Sequence, residues 1–207
     1  MMKAIILILF LIVSLSAGAY VPKEGNVHAV IGSYSSQTNY RNSQNKPSPV
    51  PIFSGFSLMA QGDASDKGNL EICINYFNKL YFREDGGNYL SERIQYLQIT
   101  MGYRYWLNNY WSTALAFASG YPLATPQTAT SYLPNDSTFE TSAHDPSEAG
   151  LDMSLAYDVW NQEPYSIVVD LRYTYSFTSR SGESADNMGA IVGLRYLIQE
   201  KQVKNKK

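Results

Sequence analysis

The chain has 207 residues, with 16 Lys+Arg against 18 Asp+Glu, a formal net charge of −2 and only 16% charged residues. No basic surplus is present to neutralise phosphates, which excludes a nucleic-acid binder. An apolar content of 44% excludes a disordered acidic tail. The single cysteine, Cys73, excludes an internal disulfide framework and a Cys-based zinc site.

The first 19 residues read as a signal peptide. Lys3 supplies a positive n-region, Ala4 to Leu15 forms an apolar run, and Ala17-Gly18-Ala19 offers small residues for cleavage before Tyr20. The run is short of the roughly 20 apolar residues that a spanning helix needs. A barrel domain is expected over 20–198 and a basic tail over 199–207.

From there the chain alternates with period two. Eight strands are expected, near 27–35, 52–61, 69–82, 93–106, 111–120, 150–160, 165–177 and 187–198. In the clearest, Ile167, Val169, Leu171, Tyr173, Tyr175 and Phe177 share one face, while Ser166, Asp170, Arg172 and Thr174 share the other. Leu70, Ile72, Ile74, Tyr76, Leu80 and Phe82 alternate in the same way with Glu71, Cys73, Asn75 and Lys79. The first strand, around Val27, Ala29 and Ile31, carries the weakest pattern. Hairpins pairing Ala60 with Leu70, Tyr105 with Trp111 and Tyr157 with Ile167 keep each apolar set on one side.

The connections alternate between short (62–68, 107–110, 161–164) and long (36–51, 83–92, 121–149, 178–186). That rhythm fits an all-β, eight-stranded antiparallel up-and-down transmembrane β-barrel. A soluble calyx would place its apolar face inward, and three features argue for the reverse. Tyr103, Tyr105, Trp106, Tyr110, Trp111, Tyr157, Trp160, Tyr165 and Tyr196 gather at the short-turn end as an aromatic girdle. The polar face mixes small residues with charges, which suits a narrow filled lumen. The strands are long enough to cross a bilayer with tilt.

The chain resembles the small eight-stranded outer-membrane barrels, the OmpA-transmembrane, OmpX and OmpW-like group. Ile191 to Ile198 is similar to that group's C-terminal insertion strand, with Gly193, Tyr196 and Ile198 in the expected positions. Ile191 departs from it where a polar residue is usual, and the chain runs on to Lys207 instead of ending on an aromatic. The resemblance implies a cell outer-membrane location, lipid and lipopolysaccharide as neighbours, and a tail on the periplasmic side. A monomer without cofactor is expected.

Eight strands leave an interior just wide enough for side chains. Glu71, Lys79, Arg104, Asp152, Asp158, Asp170, Arg172 and Arg195 all fall on the polar face. Buried charges must pair, so they are expected to form a lumen charge network that closes the barrel. His144 and Asp145 lie near Ser142 and Ser147 in the longest loop, but no signature of a lipid-modifying enzyme accompanies them, and no catalysis is expected. His28 is expected in the lumen or at an interface, and Cys73 as a buried inert thiol. Asp63, Asp66 and Gly68 lack EF-hand spacing and read as a turn. Loop 121–149, with four prolines and no Lys or Arg, is the candidate contact for an extracellular partner. The function expected is therefore structural or surface-interacting. The alternatives are a barrel that binds or passes a small apolar solute, with weak strand 1 as a lateral opening, and a soluble secreted ligand binder.

Overall fold

The computed structural model describes residues 20–40, 50–133 and 139–199. The expected signal peptide, most of the first long connection and the tail from residue 200 lie outside the described residues. The strands are β1 (Val27–Thr38), β2 (Phe53–Asp63), β3 (Gly68–Asp85), β4 (Asn88–Trp106), β5 (Trp111–Pro122), β6 (Gln127–Tyr132), β7 (Glu148–Gln162), β8 (Tyr165–Ser176), β9 (Glu183–Ser184) and β10 (Asn187–Gln199). A single 3₁₀ turn, Ser142–His144, precedes β7.

Eight of these strands close an antiparallel barrel in the order β1-β2-β3-β4-β5-β7-β8-β10 and back to β1. The closing seam pairs β1 with β10 from Val27–Gln199 to Thr38–Asn187. The strand with the weakest sequence pattern is thus paired along both edges, and it leaves no lateral opening.

The apolar face is outside. Ile31, Leu70, Met101, Leu115, Phe117, Leu171, Val192 and Ile198 are all more than half exposed. Arg104, Asp152, Asp158, Asp170, Arg172 and Arg195 are at most 3% exposed. A contiguous apolar belt of this extent exceeds what a water-soluble surface carries and marks a membrane-facing wall. The soluble calyx is excluded by the same observation.

Facing positions keep the expected parity, but each expected register is off by two residues. Tyr105 faces Thr113, Ala60 faces Ile72 and Tyr157 faces Val169. A shift of two leaves every side chain on its expected side, whereas a shift of one would invert the sheet.

Three of the long connections differ from expectation. Residues 83–92 are no loop: β3 and β4 run on and meet in a two-residue turn at Gly86-Gly87, with φ of +57° and +89°. Two consecutive positive φ values match the twist of a tight hairpin, and glycine adopts them without a Cβ clash. Within 121–149, β6 adds a strand to β4 beyond the point where β5 leaves it. β9 pairs with the opposite edge at Phe82 and Arg83. The long-connection end therefore carries a four-stranded extension, β9-β3-β4-β6, above the barrel.

Leu80 and Phe82 have outward parity, yet they are 2% and 1% exposed. Tyr40, Val50, Phe53 and Tyr89 pack over them. The outer wall of the extension is thus covered by protein where the barrel wall below is left bare.

Candidate functional site

The interior is built in layers, because each strand contributes every second side chain inward. At the short-turn end the segment before β1 crosses the mouth and brings Tyr20 inside, 4% exposed. Its hydroxyl donates to Asp63 at 2.5 Å and lies 2.8 Å from His28 Nε2. The Tyr20 ring sits 4.7 Å from that of Trp106, with the Arg195 guanidinium 4.3 Å over it. Arg195 pairs with Asp158 and also donates to Ser166 at 3.0 Å.

Trp106 corrects the expected girdle. It is 3% exposed, and its indole N–H donates to Asn69 at 2.8 Å inside the lumen. The reason is parity: Trp106 stands two residues from inward Arg104, so it cannot share the outward face of Tyr103 and Tyr105. The others, Tyr103, Tyr105, Tyr110, Trp111, Tyr157, Trp160, Tyr165 and Tyr196, are exposed or half-buried at this end. Trp111 packs 4.7 Å from Tyr157, and Tyr165 packs 5.2 Å from Tyr196. A second set at the opposite edge of the belt includes Phe56 against Tyr76 at 5.4 Å and Tyr175 against Phe177 at 5.8 Å.

The middle layer joins five of the eight expected charges. Arg104 Nε donates to Glu71 at 2.7 Å, and its Nη2 donates to Asp170 at 2.8 Å. Ser112 and Ser154 accept two more bonds from the same guanidinium, each at 3.0 Å. Arg172 donates to the other Glu71 oxygen at 2.7 Å and to Asp152 at 3.0 Å. Asp152 accepts from Thr174, which accepts from Gln98, which accepts from Asn75. Cys73 lies in the same layer, 3.2 Å from Ser57 Oγ. A void of about 10 Å³ lies beside Arg104 and Asp170, about the size of one water probe.

Above it comes an aromatic layer in which Phe77 packs edge-on against Tyr34 at 5.0 Å and against Tyr96 at 5.6 Å. The next layer pairs Lys79 with Glu148 at 2.6 Å, and Tyr81 donates to the same carboxylate at 2.6 Å. The eight expected charges thus fall into three separate clusters: Glu71, Arg104, Asp152, Asp170 and Arg172 together, Asp158 with Arg195, and Lys79 with Glu148. Glu148, Tyr20 and the inward aromatics were missed in the sequence. Parity could have found most of them, since Phe77 and Tyr81 alternate in step with Glu71 and Lys79, and Glu148 with Asp152.

Residues 139–145 close the far mouth. Thr141 donates to Glu92 at 2.6 Å, and His144 meets the other Glu92 oxygen at 3.1 Å. The Ser142 backbone N–H donates to Glu183 at 2.8 Å, and its hydroxyl donates to the same carboxylate. Ser142 and His144 therefore serve different carboxylates. Arg180 pairs with Asp145 at 2.7 Å, and Arg83 donates to the Glu140 carbonyl at 2.7 Å. Around the rim, Tyr40, Phe82, Tyr89 and Tyr132 form a row of rings, with Tyr89 stacked 6.1 Å from Tyr132. Burial within this row pushes the pKa of the Tyr40 hydroxyl up to about 12.

No protein-family model and no curated protein matches the chain. Solved structures do. The outer-membrane protein OprG from Pseudomonas aeruginosa aligns with a TM-score of 0.56 at 13% identity, over 86% of this chain and 98% of that one. Ail, the attachment invasion locus protein of Yersinia pestis, in complex with the heparin analogue sucrose octasulfate, aligns with a TM-score of 0.52 at 14% identity, over 84% and 99%. The fold is that of the small eight-stranded outer-membrane barrels, and the apolar wall makes this chain an integral membrane barrel.

Proposed function

We propose that the barrel is a sealed scaffold in the cell outer membrane and that its working part is the surface-exposed platform at the long-connection end. The observation that carries this reading is the interior itself, occupied in succession by an N-terminal strap, an ion network, an aromatic layer, a Lys79–Glu148 pair and a closing segment. A solute path through it would require breaking buried ion pairs, at several kcal/mol each. The same chain extends β3 and β4 beyond the barrel, and the described parts of loop 121–149 are held to β4 by β6 and Glu92 and to β9 by Glu183. Segments held in place lose less entropy on binding a partner than free ones do.

The partner in this reading is not a polyanion. Ail was solved with a heparin analogue, but Arg180 of the present chain is paired with Asp145 at 2.7 Å and lies 3.8 Å from Glu140. A neutral partner, or one with its own cations, fits such a rim better. No bond-making step belongs to the reading.

Two measurements test it together. Purified protein in a planar bilayer should give no discrete conductance steps. Cells displaying it should attach to matrix-coated surfaces, and replacing residues 124–146 by a short Gly-Ser linker should abolish attachment while the barrel stays folded. Ohmic steps would remove the sealed scaffold, and undiminished attachment would remove the platform.

A further inference from the structure

The small lumen void, about 10 Å³, lies where two charge clusters meet. Arg104 and Asp170 of the central network line it, and so does Arg195 of the cluster at the short-turn end. Gln61 of β2 reaches it from another wall of the barrel. β2 and β8, the strand of Asp170, are not neighbours in the barrel, so no backbone ladder joins them.

Gln61 and Asp170 each bring an oxygen without a partner. Asp170 receives Arg104 on Oδ2, while its Oδ1 accepts no hydrogen bond from the described residues. Gln61 donates from Nε2 to the Met59 sulfur at 3.1 Å, and its Oε1 accepts none. The sulfur contact fixes the amide, because the flipped form would set two acceptors against each other. Asp170 is 2% exposed and Gln61 5%. Buried polar atoms are hydrogen-bonded in the great majority of cases, so two orphan acceptors beside one polar void call for a donor between them.

Charge and size select that donor. A cation would face the guanidiniums of Arg104 and Arg195. An anion would face the Asp170 carboxylate and bring no proton to either oxygen. The volume admits one water-sized group and nothing larger. A neutral molecule with two O–H donors and free lone pairs satisfies both acceptors and suits both guanidiniums.

We propose that the void is a binding site for a single water molecule, which donates to Asp170 Oδ1 and Gln61 Oε1 and turns its lone pairs toward the guanidiniums. It ties the wall at β2 to the wall at β8 and brings the two charge clusters into contact. Protein surrounds it on every side, so it exchanges slowly with bulk solvent. This goes beyond the sealed-scaffold reading, which a dry lumen would satisfy equally.

The test is water-to-methyl cross-relaxation, measured by NMR on the full chain folded in deuterated detergent with Ala and Val methyls protonated. Ala156 and Val168 line the void. Wild type should show cross peaks from water to both methyls, with the sign of a long-lived complex. Gln61→Met keeps the size but removes the acceptor, and should lose them. Ala156→Val fills the void and should lose the Val168 peak. Oxygen-17 relaxation, to which exchanging hydroxyl protons do not contribute, should count one fewer long-lived water in Gln61→Met than in wild type. Replacing sodium by potassium should leave the methyl shifts unchanged. A heat-modifiable band confirms that each variant is folded. Absence of the peaks in wild type, or undiminished peaks and an equal oxygen-17 count in Gln61→Met, overturns the proposal. Methyl shifts that follow the cation overturn water as the occupant.

Discussion

Arg104 and Glu71 meet across the β3–β4 ladder at 2.7 Å, both almost completely shielded from solvent. Glu71 divides its two oxygens between Arg104 and Arg172, so one carboxylate holds together two guanidiniums carried by β4 and β8.

Removing one member strands the others. Arg104→Ala leaves Glu71 with one partner and Asp170 without its guanidinium, and should destabilise the barrel by about 3–5 kcal/mol. Replacing Glu71, Arg104, Asp170 and Arg172 together by apolar residues of similar size should cost less than that single change. Urea unfolding in lipid vesicles, followed by the loss of the compact gel band, compares the two.

The three tryptophans should separate by environment. Variants retaining Trp111 or Trp160 alone should be quenched by bromine-labelled acyl chains or headgroup-proximal quenchers. A variant retaining Trp106 alone should be protected, because its ring is buried in the lumen against Tyr20 and the Arg195 side chain. Equal quenching of Trp106 would place it on the lipid face after all.

The Gly86-Gly87 turn tests whether the β3–β4 extension is an ordered hairpin. Gly86→Val with Gly87→Val forces branched side chains into positive φ, at about 1–3 kcal/mol per residue. Gly86→Asn should be tolerated. Proteolysis of whole cells should cleave the double-valine variant near residues 83–92 and leave the membrane-embedded barrel intact.

Gly120 lies beneath Tyr96, and a Cβ added there would come 1.6 Å from the tyrosine hydroxyl. Tyr96 is 2% exposed and packs on Phe77, so it has little room to retreat. Gly120→Ala should therefore destabilise by about 1–3 kcal/mol. Combined with Tyr96→Ser, the two changes should be less than additive, since the clash disappears with the ring. A double-mutant cycle of unfolding midpoints measures the coupling.

Much of the wall was legible in the sequence. Alternation is a local property with a period of two, so Ile167, Leu171 and Tyr175 reveal a lipid face without knowledge of any partner strand. The same counting places Arg104 and Asp170 inside. The lengths of 62–68 and 161–164 already mark the tight end. Trp106 shows where composition misleads: nearness to a turn suggested a girdle, but parity with Arg104 put the ring inside.

What only the tertiary structure decided is everything that depends on stagger and closure. Glu71 chooses Arg104 and Arg172, and Lys79 chooses Glu148, because the tilt of closed strands sets which inward side chains share a level. β6 pairs with β4 only where β5 has already departed, and its six exposed residues carry no local sign of that choice. Leu80 and Phe82 read like lipid-facing residues, yet Tyr40 and Val50 of the β1–β2 connection and Phe53 at the start of β2 cover them from far away in sequence. Period two assigns a side chain to a face. Which neighbour it meets there is set by a register extending over the whole barrel, and no short stretch of sequence contains it.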